Sequence, residues 1–263
     1  MKSLSNRIVN KTLERLGWIG FLILVWVLIV WIGGFSSLIL PSPFAVLKSL
    51  FLGFSEGVLF KQILLSLFLV ILGMSIGTCL SFFLLFLTIS SRIGESFVTT
   101  LTAVFHPLAG IALLPVVILW LGTGPMSIIF IIIHSVVWPM VTNLIAGYRS
   151  IPEPYWIVSR NYELTSASMF FKMIIPASFP YIFAGLKISW ARAWRALISA
   201  EMIFGAVFGS GGLGWFIFSK RVFMDTPGMF AGIVVVVIIG ILVEDLFFGV
   251  IENKTIRKWG MSV

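Results

Sequence analysis

Apolar residues in this chain come in long, nearly unbroken runs, and the polar positions collect at the ends of those runs. The hydrocarbon core of a bilayer, roughly 30 Å thick, takes about 20 apolar residues of helix. Six segments meet that description, at about 17–33, 62–89, 97–121, 127–148, 176–204 and 228–250. None shows the short alternating segments of a membrane barrel. The pattern therefore predicts an all-α integral membrane protein with about six transmembrane helices. Ahead of the first run, residues 1–16 carry Lys2, Arg7, Lys11 and Arg15 among apolar positions. They read as a cytoplasmic or interfacial amphipathic helix. No small-residue cleavage site follows the first run before Pro41, so the run reads as an uncleaved span rather than a signal peptide.

Composition strengthens this reading. Hydrophobic residues make up 59% of 263 positions and charged residues 11%. A soluble domain needs about a quarter of its residues charged to cover itself against water. The net charge of +8 would suit nucleic acid if it formed a patch, but the cations flank the apolar runs, as topology signals do. Placing the N-terminus inside puts eleven lysines and arginines on the cytoplasmic side and four (Lys48, Lys61, Lys220 and Arg221) on the outer side. Both termini are thus expected in the cytoplasm of a multi-pass protein of the bacterial plasma membrane. Residues 17–251 form the membrane domain, interrupted by an inner connection at about 149–175, and 252–263 form a cytoplasmic tail. That connection has helical character of its own and reads as a contact surface. The lone cysteine, Cys79, excludes an intrachain disulfide.

Chemical motifs are mostly missing. No phosphate-binding G-x-x-x-x-G-K-[ST] run is present, so the chain has no nucleotide loop of that kind. The glycine-rich run ending Gly211-Gly-Leu-Gly214 lacks the lysine and reads as flexible backbone near a pore mouth. His106 and His134 fall on different spans, each apart from other ligand types. They read as packed or helix-end side chains, since isolated ligands cannot complete a metal site. No catalytic constellation is visible, and no enzyme activity is expected.

The fifth span is the exception, for it contains Lys187, Arg192, Trp194, Arg195 and Glu201. A charge near the bilayer centre costs at least about 2.5–3.5 kcal/mol on insertion scales and so faces protein or water. Two readings stand. The cations line a path that favours an anionic solute, or they serve structure, through pairing with Glu201 of the partner subunit and snorkelling of Lys187 to the interface. Prolines 107, 115, 139, 176 and 180 break backbone ladders inside spans, which survive where neighbouring helices or a cavity satisfy the freed groups. A transporter fits this better than a passive anchor. An ion-coupled secondary carrier acting without an ATPase is the rival class, but it calls for more intramembrane acids than Glu201.

Four stretches together resemble a known family: Leu40-Pro-Ser-Pro43, Leu114-Pro-Val-Val-Ile-Leu-Trp-Leu-Gly122, Ile175-Pro-Ala-Ser-Phe-Pro-Tyr-Ile-Phe-Ala-Gly185 running on to Glu201, and Ser210-Gly-Gly-Leu-Gly-Trp215. They look like the permease subunits of binding-protein-dependent ABC importers, in the nitrate, sulfonate, taurine and bicarbonate branch. The resemblance implies a type I ABC importer permease fold. It also implies a soluble substrate-binding protein, a second permease (a homodimer most simply, a heterodimer otherwise) and separate ABC ATPase subunits holding ATP and Mg, with no cofactor in this chain. The family's signature, Glu-Ala-Ala-x3-Gly, falls on Ile157-Val-Ser159 and Glu163, so its named residues are all replaced. The resemblance places ATPase coupling on Arg160, Asn161, Tyr162, Glu163, Leu164, Thr165 and Ser166. The family glycine permits a turn between two short helices, and Glu163 takes positive φ less readily. Either that turn is reshaped here or its partner is specialised.

Overall fold

The computed structural model describes residues 2–206, 209 and 211–255, excepting the side chains of 2–13, 16, 166, 167 and 253. The polar face expected of 1–16, the side chain of Ser166, the residue Ser210 and the tail beyond 255 thus lie outside the described residues. Among the described residues every regular element is helical. In chain order they are α1 (Lys2–Gly33), α2 (Pro43–Ser55), α3 (Val58–Ser90), α4 (Arg92–Phe105), a 3-10 turn (Gly110–Leu113), α5 (Leu114–Leu121) and α6 (Pro125–Arg149). There follow α7 (Glu153–Asn161), α8 (Ser166–Met169), a π turn (Phe170–Ile174), α9 (Ile175–Phe204), α10 (Leu213–Val222), α11 (Thr226–Ile241), a second π turn (Leu242–Phe248) and α12 (Gly249–Lys254).

Among the described residues four helical stretches are long and apolar enough to cross a bilayer: Val58–Ser90, Pro125–Arg149, Phe170–Phe204 and Thr226–Glu252. The span expected at 97–121 is instead two helices, α4 and Gly110–Leu121, bent by 88°. Pro107 and Gly110 occupy the break, where a ring without an amide and a residue without a Cβ leave the ladder open. The apolar part of α1, Gly17–Gly33, is a shorter helix. The fifth span begins earlier than its sequence suggested, because the π turn carries the chain straight into α9. That wide turn precedes Pro176, which has no amide to offer the Lys172 carbonyl one turn back.

The chain divides into two compact units. The first comprises Met1–Phe60 and Phe216–Val235. In it Ser42 caps α2 by accepting from the Ala45 amide at 3.3 Å, with Pro43 opening the helix. Thr226 Oγ1 donates to the Leu38 carbonyl at 2.9 Å. Asp225 caps α11 by accepting from the Gly228 amide at 2.9 Å and pairs with Lys220 at 2.7 Å. Burial pushes the Asp225 carboxyl up, but the bonds from Lys220 and Gly228 outweigh it and hold it below its ordinary value.

The second unit, Lys61–Trp215 with Val236–Val263, is built around α6. Helix α6 is apolar on nearly every face, as an enclosed span must be, and packs most extensively on α9. Leu84 of α3 and Val98 of α4 meet Val137 and Val141 on one side of it, while Leu85 and Ile182 meet Met140 and Leu144 on the other. Gly73 and Gly77 of α3 let the backbones close up. A methyl at Gly73 would lie 2.5 Å from Ile132 Cγ2, and one at Gly77 would lie 2.9 Å from Val136 Cβ. Small residues four apart are a standard way for membrane helices to approach.

Candidate functional site

Helix α9 carries two faces of different chemistry. At helical spacing, Arg192, Arg195 and Ser199 fall on one face with Ala196, and they line a cavity of about 580 Å³ in the second unit. Across it lie His134, Ser135 and Trp138 of α6, and the α4–α5 break from His106 to Ile111 closes a further wall. Gly110 brings that break against α6, since a Cβ there would stand 2.8 Å from Ser135 Oγ. Arg195 Nε donates to the Ala191 carbonyl at 2.9 Å. Among the described residues neither guanidinium meets a carboxylate.

The aromatic wall is ordered by ring contacts. Phe105 stacks on Trp138 with centroids 5.3 Å apart, and His134 stands edge-on to both, at 6.2 and 6.0 Å. His134 is 8% exposed. Neither of its ring nitrogens has a hydrogen-bond partner, nor has the Trp138 indole nitrogen. Leaving a buried polar group unpaired costs about 1–3 kcal/mol, so this wall holds unmet hydrogen-bonding capacity.

Of the residues the sequence singled out, the structure thus brings Arg192 and Arg195 to one cavity, and it adds His106 and His134, which the sequence presented as unconnected. The signals were there. His134 and Trp138 stand four apart on an apolar span, and His106 immediately precedes the Pro107 break.

The opposite face of α9 is packed and hydrogen-bonded. Trp194 stacks on Trp190 at 5.6 Å and donates its Nε1 hydrogen to the Val236 carbonyl at 3.3 Å. Glu201, 1% exposed, accepts from Ser66 Oγ at 2.7 and 2.9 Å and from the Gly214 amide at 2.8 Å. Ser66 Oγ in turn accepts from the Leu213 amide at 2.9 Å. A Cβ at Gly212 would collide with the Glu201 carboxylate. The second half of the glycine run is therefore pinned to a buried acid. Lys187, half-buried, is not among the residues lining the arginine cavity.

The connection after α6 forms a second candidate surface. Ile151, Met173 and Ile174 make a small core with Tyr148, Trp156 and Phe170, fixing α7 to the adjoining ends of α6 and α9. Outside that core Tyr162 is 77% and Phe171 66% exposed, beside exposed Tyr155 and Val158. Arg160 Nε bonds the Trp156 carbonyl at 3.3 Å, and Thr165 Oγ1 caps α8 by accepting from the Ser168 amide at 3.3 Å. Helix α7 ends in a left-handed turn. The Leu164 amide donates to the Ser159 carbonyl at 3.1 Å and the Glu163 amide to the Arg160 carbonyl at 3.0 Å. This pair of bonds defines a Schellman cap. Its left-handed position is Glu163, at φ 50°. The turn that a glycine would make easily is made here by a glutamate.

Comparison with known proteins accords with this layout. The sequence pattern of the family described as binding-protein-dependent transport system inner membrane component matches residues 45–257. A Bacillus subtilis permease named for aliphatic sulfonates transport is 29% identical over 255 residues, covering 95% of this chain and 90% of its own. A nitrate import permease of Synechocystis is 30% identical over 226 residues, covering 82% and 80%. A taurine transport system permease of Escherichia coli is 26% identical over 242 residues, covering 87% and 84%.

Proposed function

Since the chain belongs to the family of binding-protein-dependent transport system inner membrane components, we propose that it is the permease subunit through which an ATP-driven importer passes a small anionic solute. The chain is a multi-pass inner-membrane protein and not itself an enzyme. The solutes named for its relatives (nitrate, taurine, aliphatic sulfonates) all carry an oxyanion group. The observation that carries the anion reading is the position of Arg192 and Arg195, beside a cavity at a broken span and, among the described residues, with no carboxylate on either. A fixed positive field in a low-dielectric wall attracts anions and repels cations.

The motor is a separate ABC ATPase that binds ATP and magnesium. It seats against the exposed aromatic face around Tyr162 and Phe171, with Arg160 to Ser166 at the centre of the contact. A soluble binding protein delivers the solute from outside, and a second permease, most simply another copy of this chain, completes the path. The excess of inner-side lysine and arginine supports cytoplasmic termini. Movement of α7 and α8 is transmitted through the Ile151–Met173–Ile174 core to α6 and α9, which carry the cavity. No observation favours an ion-coupled carrier.

The test is reconstitution in proteoliposomes with the ATPase and binding protein from the same source. Uptake of a sulfonate that needs ATP and both partners is the expected result. Uptake by the purified chain alone, without ATP, would remove the importer reading.

A further inference from the structure

A groove of about 690 Å³ runs along the last turns of α3 within the second unit. Phe82, Phe83 and Phe86 of α3 line one side of it, and Tyr148, Trp156 and Phe170 line the other. Phe83 and Phe86 are 55% and 60% exposed, so the groove opens onto the surroundings of a spanning helix. Those surroundings are acyl chains. Its volume falls within the roughly 300–1,000 Å³ of sites that hold an organic ligand. Water fills a space only where polar partners hold it, and this lining of aromatic and aliphatic side chains offers few.

One end of the groove is different. A helix rises about 1.5 Å per residue, so Phe82 lies about 12 Å along the axis from Ser90, where α3 ends and which also lines the groove. Tyr148 and Trp156 stand edge-on to each other, 5.4 Å apart, and such rings collect at the headgroup level of a bilayer. Four cations lie close by in sequence. Arg92 is two residues beyond Ser90, Arg149 adjoins Tyr148, Arg160 Nε bonds the Trp156 carbonyl at 3.3 Å, and Lys172 is two residues beyond Phe170. Of the acids in the same segments, Glu95 is taken by Arg149 at 2.6 Å, and Glu153 and Glu163 mark the two ends of α7. Arg92 and Lys172 are exposed and meet no carboxylate among the described residues. An apolar trough that ends among aromatic rings and uncommitted cations complements an amphiphile with a negative head.

We propose that this groove binds one anionic phospholipid of the inner leaflet. An acyl chain lies along Phe82, Phe83 and Phe86, and the phosphate lies with Arg92 and Lys172, level with Tyr148 and Trp156. The inner placement rests on the orientation proposed above, and the importer reading enters only through the transport readout. Tyr148, Trp156 and Phe170 also pack on the Ile151–Met173–Ile174 core, which joins α7 and α8 to α6 and α9. A lipid in the groove braces that joint from the bilayer side. Uptake therefore depends on an anionic lipid as well as on ATP.

The experiment is native mass spectrometry of the full-length chain, purified with its ATPase and equilibrated with equal amounts of phosphatidylglycerol and phosphatidylcholine of identical acyl chains. Phosphatidylglycerol should be retained in preference by about tenfold, as two uncommitted cations beside an anionic headgroup allow. Arg92→Gln with Lys172→Gln should remove that preference and leave phosphatidylcholine retention unchanged. Phe83→Ser with Phe86→Ser should lower retention of both lipids. Inorganic phosphate should not displace the lipid, since the acyl chain supplies much of the hold. In proteoliposomes, exchanging phosphatidylglycerol for phosphatidylcholine should lower ATP-driven uptake severalfold. Equal retention of the two lipids, a preference that survives loss of both cations, or displacement by phosphate would each overturn the proposal. So would a complex that retains no lipid because the ATPase or a second copy of the chain covers the groove. Should the cation variant fail to assemble, the two-lipid comparison on the unaltered protein decides alone. ATP-driven uptake without any lipid preference would refute this site and leave the importer standing, whereas lipid preference with uptake independent of ATP would do the opposite.

Discussion

The two faces of α9 place charge in the same span and use it in opposite ways. Glu201 is enclosed, and both carboxylate oxygens are engaged by Ser66, one of them also by the Gly214 amide. Arg192 and Arg195, two turns away and nearer, border open space and meet no carboxylate among the described residues. A fully partnered buried charge defines a local structure, here the fold of residues 211–214 onto α3. Arg192 and Arg195 define no such structure among the described residues. Ionisable residues inside membranes are by default candidates for function, yet only the geometry of partners says which of the two roles each one has.

The contrast breaks most visibly at Glu201. Replacing it with alanine strands the Ser66 hydroxyl and the Gly214 amide together, and leaving buried polar groups unsatisfied costs about 1–3 kcal/mol. Glu201→Ala should therefore lower the thermal midpoint of the detergent-solubilised protein sharply, whereas Glu201→Gln keeps part of the network and loses less. If both variants melted like the parent, the structural reading of Glu201 would be wrong. Arg192→Gln with Arg195→Gln should do the reverse. Uptake in proteoliposomes should fall about tenfold or more, as for a lost charged contact. Folding stability should stay within about 0.5 kcal/mol of the parent, as for substitutions that break no ion pair. Loss of assembly instead of transport would return the arginines to structure.

Much of this division could be read from sequence, and the unreadable part has physical causes. Apolar runs marked the spans because a bilayer tolerates nothing else, and Gly122 and Pro125 marked the tight link before α6, where they serve as C-cap and first helical residue. Pro107 marked a break in the third span. Its 88° angle depends on how Gly110 seats against α6, which no local pattern encodes. The histidines looked isolated because contact between α4 and α6 is tertiary. Glu201 stood out in the sequence as the one acid of its span, and its partners within the chain, Ser66 and Gly214, lie on other elements. The Gly73 and Gly77 pair has its meaning only through Ile132 and Val136 opposite.

A smaller effect concerns the turn at Glu163. The left-handed conformation costs a residue with a Cβ about 1 kcal/mol relative to glycine, and the Schellman bonds hold Glu163 in it. Glu163→Gly should thus stabilise the end of α7 by up to about 1 kcal/mol, read as slower amide exchange at Glu163 and Leu164. Tyr162→Ala leaves the backbone bonds in place but removes an exposed ring. It should weaken ATPase co-purification without changing that exchange. If Glu163→Gly sped up exchange, the glutamate side chain would be contributing to the turn rather than straining it.

The smallest effect lies in the first unit, where Asp225 repeats the satisfied-charge arrangement of Glu201 in an exposed setting. Its folded carboxyl lies below the ordinary value of 3.8, held there by Lys220 and the Gly228 amide against the opposing effect of burial. A carboxylate depressed in the folded state contributes stability that is fully present above its unfolded value and is lost as pH falls through the folded one. Asp225 should therefore stabilise the protein unchanged from neutral pH down to about 4 and lose that contribution below it. With both side chains more than a third exposed, solvent screens the pair and leaves about 0.5 kcal/mol. Asp225→Asn should lower the melting midpoint slightly at pH 7 and converge with the parent as the pH approaches 3. A gap that persisted at low pH, where both side chains are neutral, would mean that something other than the charge of Asp225 distinguishes the two. Convergence would show that the exposed pair contributes a small amount through its charge, whereas at Glu201 burial is what makes the loss of a partner expensive.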